Sequence, residues 1–230
     1  MLGSAPFYNL LRTVYRKARK FLPSNVRPII LAYHIITEDS PTKRPYSVEK
    51  EKFLQHLEVL KHNHRVLSLT EMGQCLKQGQ VPDNAVVVTF DDNYQEHLTV
   101  ALPILQEAKI PATVFICSGS IGSEQEHYWE ELERLILLPD ILPASIELNV
   151  KGTKLSWELG GEGPATSPLL DFKKPHKARQ KAYLSVLNVL SELNYVDVEA
   201  ALQSLRAQLG DDGKARETHK LMTLDQLMEL

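Results

Sequence analysis

An α/β fold built on a parallel sheet, in the order of a β/α barrel, is what this sequence predicts, and three observations predict it. Ala85-Val86-Val87-Val88-Thr89-Phe90 is a continuous apolar run, rich in β-branched residues, that stops at Asp91-Asp92. A second apolar run, Ile29-Ile30-Leu31-Ala32-Tyr33, stops at His34. Between and after these runs, stretches of helical spacing alternate with short apolar stretches. An uninterrupted apolar run marks a strand buried on both faces, as parallel sheets require. Intervening helices supply the right-handed crossovers. Parallel folds of this kind place ligands at strand carboxyl ends, so His34 and Asp92 are expected on one rim.

The elements follow in order. After the strand at Ile29–Tyr33, the segment Tyr46–Asn63 reads as a helix with Phe53, Leu57 and Leu60 on one stripe, and Val66–Leu69 as a short strand. Thr70 is the expected N-cap of a helix through Leu76 that ends near Gly79. Val86–Phe90, a helix from Tyr94 to Lys109 and a strand at Thr113–Cys117 then form a βαβ unit. Beyond it the pattern changes. Ser145–Val150 and Leu155–Leu159 alternate apolar and polar around Lys151-Gly152-Thr153-Lys154, which predicts a hairpin. Leu184, Leu187, Leu190 and Leu193, then Val198, Leu202, Leu205 and Leu209, predict two amphipathic helices ending near Gly210. Gly160-Gly161-Glu162-Gly163-Pro164 is a loop without a phosphate-binding pattern.

The acidic doublet carries the chemistry. One carboxylate is enough to cap the helix that follows, where orphan N–H groups and the helix dipole favour it. Two side by side repel unless a metal or a shared proton relieves them, which favours metal or acid/base chemistry. Neighbouring side chains on a strand point to opposite faces, so both serve one site only where the chain is leaving the strand; Asn93, tolerant of left-handed geometry, suits that departure.

Thr89-Phe90-Asp91-Asp92-Asn93-Tyr94 resembles the first motif of the polysaccharide deacetylases, the NodB-homology group of carbohydrate esterases. Ile30-Leu31-Ala32-Tyr33-His34 is similar to that family's first strand, and Ala101–Leu105 with Ile110–Ile116 to its next helix and strand. The resemblance is dense from Pro28 to Cys117 and thins afterwards, returning at Tyr128–Leu135. It implies a distorted β/α barrel and a metal-dependent hydrolase that removes N-acetyl groups from a polysaccharide or glycan. It implies Asp91 as the base that deprotonates a metal-bound water and Asp92 as the carboxylate ligand of a divalent metal, zinc by expectation. His34, which ends an apolar strand, is placed at the same rim as a residue in reach of metal or substrate, against the reading of a hydrogen-bonded structural histidine.

The family completes its metal triad with a His-Ser/Thr-x-x-His motif, and none of the eight histidines, His34, His56, His62, His64, His97, His127, His176 and His219, has that spacing. Leu221–Leu230 resembles the stretch that precedes the motif in relatives, with Thr223 capping a helix that carries Leu224, Leu227 and Met228 on one face. The expectation is therefore an N-terminal portion of a deacetylase, inactive by itself, organised as residues 1–27 (basic amphipathic segment), 28–118 (first part of the barrel), 119–220 (inserted subdomain) and 221–230 (start of the next barrel helix). The alternative from another class is a non-catalytic carbohydrate-binding relative or fragment. An Asp-nucleophile phosphatase is disfavoured, because its Asp-x-Asp spacing is absent.

Composition narrows the rest. With 230 residues, 43% hydrophobic and 24% charged, the chain is of ordinary globular type, and a formal charge of −3 points away from nucleic acid. Cys75 and Cys117 fall on different elements and read as reduced thiols. Residues 8–22 interleave apolar residues with Arg and Lys but contain no uninterrupted apolar stretch, so they read as neither a secretory signal nor a membrane span. A helix packed on the barrel with a solvated basic face is favoured over one lying on anionic lipid. The expected location is cytoplasmic, with contact to a membrane surface through residues 8–22 as the open alternative. His62 and His64 read as solvated, His97 as pointing away from the rim, and Trp157 and Tyr128 as packing residues ahead of a sugar-stacking surface.

Overall fold

In the computed structural model, residues 28–38, 44–161, 163–167 and 177–230 are described. The expectation for residues 8–22 lies outside them. Contacts divide the described chain into two compact units, one running from Gly122 to Leu221 and the other comprising the described residues up to Ile121 together with Met222–Leu230.

In the latter unit, β1 (Ile29–Tyr33), β4 (Arg65–Val66), β5 (Ala85–Asp91) and β6 (Ala112–Phe115) form one parallel sheet. β5 is its hub. β1 pairs along Val86–Phe90, β4 pairs only at Ala85 and Val86, and β6 pairs at Val88–Asp91. Because β1 overlaps both partners, β4 and β6 must follow one another along the opposite edge of β5. Every residue from Ala85 to Phe90 is buried, as the apolar run requires. The register Tyr33↔Phe90 sets the ends of β1 and β5 level, so the polar residues after both strands emerge at one rim. Helices α1 (Lys50–Asn63), α2 (Leu69–Gln78) and α3 (Leu102–Ala108) connect the strands. Phe53, Leu57 and Leu60 of α1 join Tyr33, Val88, Phe90 and Ile104 in the core, the stripe the periodicity predicts.

Three local expectations are corrected. The segment predicted as helical from Tyr46 opens instead with a short strand, β3 (Ser47–Glu49), which pairs in parallel with β2 (Ile35–Thr37), and helix begins only at Lys50. The expected strand at Val66–Leu69 is the pair Arg65–Val66. The cap of α2 is Ser68, not Thr70: its hydroxyl accepts from the Glu71 amide at 3.2 Å while the Glu71 carboxylate accepts from the Ser68 amide at 2.8 Å, a reciprocal capping box. Gly79, at φ 69°, closes the helix in the left-handed conformation that lacks a penalty only for glycine.

Ser68→Ala is expected to destabilise this unit by about 1 kcal/mol and Thr70→Ala by much less, measured by urea denaturation. Hydrogen bonds from Ser68 hold the Glu71 carboxyl below its ordinary value. A depressed carboxyl contributes stability that is complete above the unfolded pKa of about 4.3 and is lost as pH falls through the folded value. The Ser68→Ala deficit is therefore expected at neutral pH and to shrink in acid.

The unit from Gly122 to Leu221 has its own core. α4 (Tyr128–Leu132) runs into a π-helical turn, Glu133–Leu137, and packs with α5 (Ala178–Ser191) and α6 (Tyr195–Leu209) beside the antiparallel hairpin β7 (Ser145–Val150) and β8 (Thr153–Glu158). The hairpin is tighter than the alternation suggests. Lys151 and Gly152, at φ 51° and 82°, form a two-residue turn, and Thr153 and Lys154 are already paired. Two buried carboxylates organise the unit. Glu131 is held by Arg206 through Nε at 2.5 Å and Nη2 at 2.9 Å, and Glu126 by Arg216 through Nε and Nη2, both at 2.8 Å. Arg134 lies 3.4 Å from Glu131 and 3.7 Å from Glu126, and is hydrogen-bonded to Asp211. No described helix is long and apolar enough to cross a membrane.

Candidate active site at the carboxyl ends of β1 and β5

The chain leaves β5 one residue earlier than Asn93 alone would bring about. Asp92 is at φ 76° and Asn93 at φ 39°, two consecutive left-handed residues. This departure allows carboxylates adjacent in sequence to serve the same site. Asn93 fixes the turn. Fully buried, it accepts the Cys117 amide on Oδ1 at 2.9 Å, and its own carbonyl accepts the Met222 amide at 3.0 Å.

Asp91 and Asp92 differ in surroundings. The Asp91 carboxyl is pushed above its ordinary value, first by burial and then by the neighbouring Asp92 charge, against an opposing pull from His34. Asp92 accepts a hydrogen bond on Oδ1 from the Cys117 thiol at 3.5 Å. Burial and the charges of Asp92 and Asp91 push the Cys117 thiol up to about 12, so the sulfur stays protonated and acts as a donor. Sequence reading places Cys117 at a strand end without assigning it a partner. Its contact with Asp92 follows from the pairing of β5 with β6, where Asp91 lies opposite Phe115.

His34 lies at the same rim, its Nε2 3.9 Å from Asp91 Oδ2. His97, expected to point away, is instead 2% exposed, and its Nε2 is 2.5 Å from the His34 carbonyl oxygen. The helix after the acidic turn opens with a π-helical turn, His97–Ala101, before continuing as α3, and His97 heads the buried stripe that Val100, Ala101, Ile104 and Leu105 continue. Arg44, 6% exposed, donates from Nη1 to Glu96 Oε1 at 2.7 Å and lies 5.4 Å from the centre of the Tyr94 ring. A buried ion pair therefore braces the turn that follows the two aspartates.

As for a metal, consecutive carboxylates at a half-buried rim, one of them raised in part by the charge of the other, suit a divalent cation that neutralises both. Asp92 fits as one ligand of such an ion. Catalytic zinc sites normally draw three ligands from protein, and the His-Ser/Thr-x-x-His spacing is missing from the sequence.

Fold and rim together define an α/β protein with an acidic strand-end site. Residues 78–137 match the family model described as polysaccharide deacetylase. The poly-beta-1,6-N-acetyl-D-glucosamine N-deacetylase of Staphylococcus aureus (strain MSSA476) is 39% identical over 83 residues, which are 36% of this chain and 29% of that protein. The enzyme of the same name from Staphylococcus epidermidis is 26% identical over 140 residues, 55% of this chain and 48% of that protein. The chain thus spans under a third of the first relative and about half of the second. Among solved structures, the Streptococcus pyogenes deacetylase PplD in complex with acetate is 19% identical with a TM-score of 0.40, covering 90% of this chain and 81% of that one. IcaB from Ammonifex degensii is 21% identical with a TM-score of 0.38, covering 82% and 72%.

Proposed function

We propose that this chain carries the carboxylate part of a centre that hydrolyses N-acetyl groups on a polysaccharide of β-linked N-acetylglucosamine. The observation that carries this reading is the left-handed turn at Asp92 and Asn93, which lets two adjacent carboxylates act at the rim that also bears His34. The family-model match over residues 78–137 and the named activity of the relatives support the substrate class.

In this reading Asp91 is the base. Raised basicity suits a carboxylate that takes a proton from the attacking water, since proton transfer is most effective when the catalytic pKa approaches the working pH. His34, steadied through its carbonyl by His97, faces Asp91 and contacts the substrate. Asp92 would hold the metal, and a zinc ion bound there would supply Lewis acidity for the amide carbonyl. The water oxygen adds to the acyl carbon as Asp91 takes up its proton, the C–N bond breaks as that proton passes to the nitrogen, and the free amine leaves with acetic acid, which ionises to acetate. Residues 28–118 form the first part of the barrel in this proposal and 119–220 the insertion, with residues 8–22 available for a membrane surface.

The test compares acetate release from an acetylated β-1,6-linked glucosamine oligomer, with zinc added, by residues 1–230 alone and by a polypeptide that joins them to a segment bearing a His-Ser/Thr-x-x-His loop. With one family ligand in place the shorter chain is expected to show no significant release, and the joined chain to turn over. Robust turnover by the shorter chain would overturn the ligand assignment, and none by either would overturn the proposed function.

A further inference from the structure

Tyr46 stands out from every other aromatic residue near the rim. Its φ is 60°, a conformation rarely adopted by a bulky L residue. The residue is 51% exposed and belongs to no core cluster of its unit. Strain that persists is held in place by surrounding structure and often marks a functional position. The restraint here is visible. The Arg44 guanidinium is buried against Glu96, and the Ser47 amide and hydroxyl donate to the Arg44 carbonyl at 3.3 and 2.8 Å. The turn from Arg44 to Ser47 is thus anchored from below while its aromatic side chain is held in solvent.

The parallel register Ile35↔Ser47 explains where that ring lies. Tyr46 and His34 precede partnered residues and so stand side by side. Their rings stack at 5.3 Å between centroids and 29° between planes, and the far edge of His34 is 3.9 Å from Asp91. An exposed, conformationally fixed aromatic ring one side chain away from a proposed catalytic base is suited to a ligand with an apolar face and a polar edge. A β-linked pyranose ring offers both: axial C–H groups on its face and hydroxyls on its rim.

Resting on the deacetylase reading, we propose that Tyr46 is a substrate-binding residue, a platform on which an N-acetylhexosamine ring stacks beside Asp91. The strained turn fixes the platform before the sugar arrives, so less freedom is lost on binding.

Binding of a β-linked N-acetylglucosamine pentamer to residues 1–230, followed by saturation-transfer NMR and calorimetry, tests this directly. Tyr46→Ala and Tyr46→Gly are each expected to weaken binding about tenfold, while Tyr46→Phe stays within about twofold, because the ring face and not the hydroxyl carries the contact. Tyr46→Gly also relieves the backbone, and its melting temperature is expected to equal or exceed that of the parent, which keeps the test valid should the alanine variant fail to fold. Parent-like binding by the glycine or alanine variant, loss in Tyr46→Phe equal to that in Tyr46→Ala, or no binding by the parent would each overturn the proposal. Tyr46-dependent binding without acetate release from the joined polypeptide would overturn the deacetylase reading and leave the platform standing. Acetate release whose KM does not respond to Tyr46→Gly would do the reverse.

Discussion

Asp91→Asn in the joined polypeptide is expected to lower kcat for acetate release by about 10²–10⁴-fold, the range that a positioned general base contributes. KM should change little. The substitution keeps the shape of the side chain and its place at the end of β5, opposite Phe115, but an amide cannot take up the proton. Because burial and the Asp92 charge raise the Asp91 carboxyl, removing Asp91 also removes a like charge beside Asp92. Zinc affinity should fall less than the rate, because Asp92, the proposed ligand, keeps its charge. A rise in KM with kcat intact would place Asp91 in substrate binding, and an unaffected variant would remove it from the base role.

Glu131→Ala is expected to destabilise the unit from Gly122 to Leu221 by about 3–5 kcal/mol, the usual cost of removing one partner from a buried ion pair. The Glu131 side chain is fully buried and satisfies two donors of Arg206, whose own side chain is only 12% exposed. A guanidinium stays charged in proteins, so Arg206 cannot escape the loss by giving up its proton. Arg134, 3.4 Å from Glu131, loses a counter-charge as well. Trp129 and Trp157 are the chain's two tryptophans and both belong to this unit, so fluorescence-detected urea unfolding reports on it selectively. A midpoint equal to that of the parent would show that the network contributes nothing to stability.

How much of this was readable in advance depends on the range of the interactions. Asp91 and Asp92 stand out because an apolar run ending in acid is a local pattern, and the rim position of His34 follows from one added premise, that the strands are parallel. Ser68 was readable too, since Glu71 follows it by three residues, but Thr70 is an equally ordinary cap and drew the assignment. Other features lay beyond local pattern. The strand β3 is three residues long, and the strong stripe that begins at Phe53 masks it, which hid the position of Tyr46. The carbonyl oxygen that His97 meets, that of His34, lies 63 residues away and is reached only in the fold, although the place of His97 on a helical stripe with Val100, Ala101, Ile104 and Leu105 is a local pattern. Arg206 is 75 residues from Glu131 and Arg216 is 90 from Glu126, so their partnership exists only in the folded unit.

The central claim is that hydrolysis at this rim depends on a metal held by Asp92, and acetate release by the joined polypeptide after chelation and after zinc is restored measures it most directly, with Asp92→Asn run alongside. Chelation is expected to abolish release and zinc to restore it in the parent, with no restoration in Asp92→Asn, because an amide in place of the carboxylate removes the charge that holds the ion. Release that survives chelation, or an Asp92→Asn chain that zinc restores as fully as the parent, would contradict the assignment.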